Sequence, residues 1–153
     1  MHIDQLDKKL LNLLQNDSKL TSKQLSIGLS LSVTDVYERV KKLEKHGVIS
    51  KYVALINKEK IDRSFLVFCH VKLIQHSREY LSSFEREISK LPEISECFHI
   101  AGDYDYLLKI YVKDMLEYRE FMVNKLTTIK HIGSTQSSFA ISEVKHSTQI
   151  VLN

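Results

Sequence analysis

Up to Gly47 the apolar residues recur every three or four positions; beyond it, segments of that spacing are interleaved with segments that alternate. The switch limits the fold, because a helical period does not settle into a strand, nor an alternating one into a helix. Leu6, Leu10, Leu13 and Leu14 stand at i, i+4, i+7 and i+8, which predicts an amphipathic helix over 4–15 behind an Asp4 cap. Asn16 to Lys19 is a polar break. Thr21 to Gln24 has the form of a capping box, with Leu20 and Leu25 placed as a hydrophobic staple. The second helix it starts is kept short by Gly28 and Ser30. Ser32 caps a third helix, with Asp35 at the reciprocal position and Gly47 as the stop after His46. Val36, Val40 and Leu43 share the inner face of that helix, and Thr34, Tyr37, Glu38, Lys41 and Lys42 lie on the outer one.

Val48 to Ile56 is rich in strand formers and predicts a strand leaving the helical unit, followed by a polar linker to Ser64. Phe65 to Ile74 reads as a strand. Ser77 then caps a helix with Leu81, Phe84, Ile88 and Leu91 in one stripe, ended by Pro92. Ile94 to Ala101 and Tyr106 to Val112 alternate on either side of a turn at Gly102 to Asp105. Asp114 caps a helix to about Leu126; a last strand spans 132–144, with a further candidate at 148–152. The order βαββαβ is that of a ferredoxin-like (RAM/ACT-like) domain. The fold class is therefore α+β: a three-helix helix-turn-helix over 1–50, a strand and linker over 51–64, and a βαββαβ domain over 65–153. Helices cover one face of that sheet, so the other needs a partner or ligand.

The net charge of +3 is unevenly placed. Residues 1–60 hold eleven Lys/Arg against seven Asp/Glu, and residues 61–153 eleven against twelve. The positive excess favours a polyanion at the helical unit, such as the major groove of double-stranded DNA. No stretch approaches the roughly 18 apolar residues of a membrane span. The amphipathic N-terminus lacks the pattern of a secretory signal. Two distant cysteines, Cys69 and Cys97, read as free buried thiols of a reducing cytoplasm.

LDKKLLNLLQND at 6–17, LTSKQLSIGLSLSVTDVYERVKKLEKHGVIS at 20–50, YVALINKEKI at 52–61 and AGDYDYLLKI at 101–110 resemble the Lrp/AsnC (leucine-responsive, or feast/famine) transcriptional regulators. As a helix-turn-helix, the helical unit is expected to contact DNA through Ser22, Lys23, Thr34, Tyr37, Glu38, Arg39, Lys41 and Lys42, and the resemblance implies the same DNA-binding role for the unit. It also implies a homodimer, often built into a ring such as an octamer. An amino-acid effector would lie between subunits, at Gly102, Asp103, Tyr104 and Asp105 with the hydroxyls of Thr135 and Ser137. The chain departs from the family pattern at Ser30, where glycine is usual, and at Asp35 and Glu38, where hydroxyl or basic side chains are common. Asp35 is expected to be spent on capping, and Glu38 to read a base or to pair with Lys41 or Lys42.

Two aspartates in one turn also raise acid/base catalysis. That would need a nucleophile or base nearby in a tuned pocket, and no such grouping is present. Cys97 and His99 share a strand face, but two ligands do not make a metal site. No cofactor is implied, and an enzyme is disfavoured. Three readings stay open: an effector-responsive DNA-binding regulator, a DNA organiser with an idle pocket, and a stand-alone small-molecule domain or enzyme. Within the turn, the aspartates either hold a ligand's ammonium or only bond backbone amides.

Overall fold

In the computed structural model, which describes residues 2–153, the chain divides into two units. One comprises the residues to Leu55 together with Val144–Asn153, and the other Ile56–Glu143.

The first unit is built on three helices: α1 (Gln5–Asn16), α2 (Ser22–Leu29) and α3 (Val33–Lys45). Each starts where a short polar side chain takes up orphan amides. Asp4 accepts from the Asp7 amide at 2.7 Å while the Asp7 side chain returns to the Asp4 amide, and Thr21 and Gln24 form the same reciprocal pair. Ser32 caps α3, but the Asp35 carboxylate does not return the bond. At the end of α3, Gly47 takes φ +70° and the Val48 amide reaches back to the Leu43 carbonyl, closing the last turn. Leu10, Leu11, Leu25, Leu29, Val36 and Leu43 form the buried core of the unit.

The strand expected over Val48 to Ile56 is not formed. Residues 51–57 carry no ladder, because the unit holds no strand for them to pair with, and Val53, Leu55 and Ile56 are exposed. The polar linker contains a short 3-10 turn, Lys58–Ile61, capped by Asn57.

The second unit runs β1 (Phe65–Leu73), α4 (Arg78–Ile88), β2 (Ile94–His99), β3 (Tyr106–Val112), α5 (Met115–Asn124) and β4 (Ile132–Phe139). The antiparallel sheet has the order β2-β3-β1-β4, the split arrangement expected from the element order. Val67, Cys69, Val71, Tyr106, Leu108 and Ile110 point to one face, where Phe84, Ile88, Tyr118 and Phe121 of the two helices cover them. Alternation sends Phe68, His70, Leu107 and Phe98 to the face without helices. Strand β4 stops at Phe139 rather than 144.

Residues 144–153, expected to belong to the second domain, group with the first, and no strand forms at 148–152. The backbone there is satisfied by side-chain amides of α1. Asn12 exchanges bonds with the Leu152 carbonyl (2.9 Å) and amide (3.3 Å), and Gln15 with those of Ile150 (2.9 and 2.8 Å). Lys8 bonds the Asn153 carbonyl, and Leu152 joins the helical core. Three residues of helix thus match two of extended chain.

Candidate functional site

Two surfaces concern function, one on each unit. On the first, α3 presents Thr34, Tyr37, Glu38, Lys41 and Lys42 to solvent, all on the side opposite Val36, Val40 and Leu43. Lys23 is exposed near the start of α2, and Ser22 is half-buried. An open groove of about 690 Å³ beside α3 is bordered by Asp35 and Glu38 on the acidic side and Lys41, Lys42, Lys45 and His46 on the basic side. Lys41 lies 5.7 Å from the Tyr37 ring centre and 3.3 Å from Glu44. Glu38 therefore has neither of the lysine partners expected for it.

Arg39 departs from the expectation most clearly. Its guanidinium lies 2.7 Å from Asp4 and 2.6 Å from Asp7, and Asp7 is buried. The Asp7 amide, and after it Arg39, hold the Asp4 carboxyl below the ordinary carboxylate value of 3.8. Arg39 thus joins α3 to α1 through both carboxylates. The sequence shows the acids in the first turn of α1 but not that α3 crosses there.

On the second unit, Gly102 takes φ +134°, a conformation that admits glycine and few other residues. The two aspartates of the turn separate. Asp103 is exposed. Asp105 is 3% exposed; its carboxylate accepts from the Leu73 amide at 2.7 Å and lies 2.9 Å from His76 Nε2. The Asp105 amide also donates to the Val71 carbonyl. Asp105 therefore fastens the β2-β3 connection to β1.

The remaining effector candidates divide between the faces of the sheet. Thr135 and Ser137, opposite Val71 and Cys69, share the helix-covered side, and the Ser137 hydroxyl is bonded to the Tyr118 hydroxyl. Burial pushes the Tyr118 phenol up to about 12, against the opposing pull of Ser137. Tyr104 instead crosses the open face: its ring lies 5.2 Å from that of His70, and its hydroxyl donates to Gln136 Oε1 at 2.6 Å. The sequence reading missed Gln136, His70 and His76. Gln136 was legible in principle, since alternation sets it opposite the hydroxyls on either side of it.

Cys69 is buried and its thiol is pushed up chiefly by that burial. Cys97, expected to be buried, is exposed on edge strand β2; desolvation, then Glu85, pushes its thiol up to about 11. His99 stacks on Tyr106 at 4.8 Å. Among the described residues no group of three or more His, Cys, Asp or Glu is placed to hold a metal, and no helix is long and apolar enough to cross a membrane.

Residues 66–150 match the Lrp/AsnC ligand binding domain, and residues 3–50 match a winged helix-turn-helix DNA-binding domain. The chain belongs to the Lrp/AsnC family. It is 37% identical over 150 residues to the leucine-responsive regulatory proteins of Escherichia coli and Salmonella typhimurium, covering 98% of this chain and 92% of theirs. A transcriptional regulator from Neisseria meningitidis, solved as a complex with L-Met, superposes with a TM-score of 0.94 at 32% identity, covering 99% of this chain and 98% of that one. An AsnC family regulator from Agrobacterium tumefaciens gives 0.92 at 35%, covering 96% and 95%. The Lrp/AsnC chain described here is accordingly a DNA-binding transcriptional regulator with a ligand-binding domain, and its relatives are regulators.

Proposed function

We propose that this regulator works in the cytoplasm as a homodimer or larger ring, such as an octamer, without catalysis of its own. In this reading α3 enters the major groove of double-stranded DNA, with Thr34 and Tyr37 toward base edges and Lys23, Lys41 and Lys42 on phosphates. The ligand-binding domain takes an amino acid where a second subunit closes over the turn at Gly102 to Tyr104. The observation that carries the effector reading is the close superposition on a relative holding L-Met.

The sheet supports the need for a second subunit. Its open face carries Phe68, Leu107 and the half-exposed Phe98, and the shielded His70 Nδ1 has no bond partner among the described residues. A subunit laid on this face would bury the aromatics, and the extended apolar segment at 52–56 would gain a strand to pair with. One chain also brings the Tyr104 side chain and the strand hydroxyls to opposite faces, so a single subunit does not gather them around one ligand.

The prior engagement of Asp105 and Ser137 favours a second reading, a DNA organiser with an idle pocket. Titration calorimetry with the common amino acids, L-Met and L-Leu first, separates the two. Binding by wild type that is lost in Tyr104→Phe or Thr135→Val supports the effector reading. No heat with any amino acid turns the assignment to the organiser. Sedimentation at micromolar concentration gives a dimer or larger species; a monomer there removes the assembly reading.

A further inference from the structure

Thr34, Glu38, Lys41 and Lys45 stand at i, i+4, i+7 and i+11 on α3, a stripe directly opposite the buried Val36 and Leu43. Glu38 is the sole acid in that stripe, one position beyond the exposed Tyr37. A glutamate with lysines three and four residues further on ordinarily pairs with one of them. Here Lys41 turns to Glu44 and the Tyr37 ring, and Glu38 keeps no ion-pair or hydrogen-bond partner among the described residues. Of the other acids of the groove, Asp4 pairs with Arg39, and Asp35 sits to the side of the stripe.

We infer that Glu38 is a specificity-determining residue that accepts a hydrogen bond from a cytosine amino group in the major groove. This rests on α3 being the reading helix. A helix seated in the groove brings residues of its first turns to the base edges and those further along toward the backbone. A carboxylate there meets phosphate only at a repulsive cost, and it has no proton to give to the N7 and O6 acceptors of guanine. Cytosine N4 presents a donor with no acceptor beside it, whereas adenine sets N7 next to its amino group. Lys41 and Lys45, on the same stripe, neutralise the phosphates that flank this position. Glu38 thereby lowers affinity for duplexes that lack cytosine at the matching position.

The test enriches a randomised duplex library with the full chain as wild type, Glu38→Gln and Glu38→Ala, beside a Lys41→Ala/Lys42→Ala control. Glu38 is exposed, so matching melting temperatures establish that the variants fold alike. Wild type is expected to fix a C·G pair at one position of each half-site and to bind duplexes altered there roughly 5- to 100-fold more weakly. Glu38→Gln should move that position to A·T, because glutamine bonds adenine N6 and N7 together. Glu38→Ala should lose selectivity at that position alone while binding random DNA at least as tightly. The inference is overturned if Glu38→Ala keeps the wild-type preference at every position, whether or not its affinity rises. Should the double lysine variant also keep the wild-type salt slope, α3 lies outside the interface and the DNA-interface reading fails with it.

Discussion

Ser30 holds φ +56° and ψ +43° in the turn between α2 and α3, a left-handed conformation that costs a side chain with a Cβ about 1–2 kcal/mol. Glycine avoids that cost but loses some in chain entropy. Ser30→Gly is therefore expected to stabilise the helical unit by about 0.5–1 kcal/mol, read as a higher urea midpoint at unchanged m-value. The same scale separates the two aspartates of the Gly102 turn. Asp105→Ala strands the buried Leu73 amide and should destabilise the second unit by about 1–3 kcal/mol. Asp103→Ala, on an exposed side chain, should stay within about 0.5 kcal/mol. Equal midpoints for the two variants would show that the buried bond contributes nothing. The sequence displays both aspartates alike; what distinguishes them is a β1 amide more than thirty residues earlier in the chain.

Helices proved more legible than strands because their signals are local. Capping residues, apolar stripes and the Gly47 stop all lie within a few residues of what they control, and α1 to α3 begin and end close to where those signals put them. The segment 48–56 has strand propensity, yet a strand is completed only by a neighbour, which this chain does not supply. The clamp of Arg39 on Asp4 and Asp7 belongs to this scale too, since it joins two helices. The depressed Asp4 carboxyl contributes stability that is present above its ordinary value of 3.8 and is lost as pH falls through the lower value of the folded state. Arg39→Met should lower the melting temperature at about pH 5, and its gap from wild type should close as pH drops below that window. A gap that stays constant down to about pH 2 would show that Arg39 acts by packing and not by charge. With Arg39 serving only this clamp, DNA affinity measured alongside should fall through displacement of α3 with the salt slope kept; a slope lowered by about one would place Arg39 on a phosphate.

At the scale of the molecule, the chain crosses from one unit to the other twice, after Leu55 and after Glu143. The second crossing carries residues 144–153 back onto α1. Deleting 148–153 removes the bonds to Asn12 and Gln15 and uncovers the contact of Leu152 with the helical core. The expected cost to the first unit is about 2 kcal/mol. Hydrogen exchange should show faster exchange in α1 with the sheet of the second unit unchanged. If α1 exchanges as in wild type, the strap contributes no stability. A strap of this kind is invisible in the sequence: Ile150, Val151 and Leu152 read as another strand, and nothing local says that two amide side chains of a helix will serve as the partner. The sequence by itself determined the two-part α+β architecture, the helix limits, the βαββαβ order and the exposed face of α3. Each of these follows from periodicity, caps and charge within one element or its immediate neighbours. Only the tertiary structure decided that Arg39 and Asp105 turn inward, that Glu38 is left without a lysine, and that the effector candidates lie on opposite faces of one sheet. Those outcomes depend on which distant groups meet, and pairing between distant groups is set by how elements pack rather than by local order along the chain.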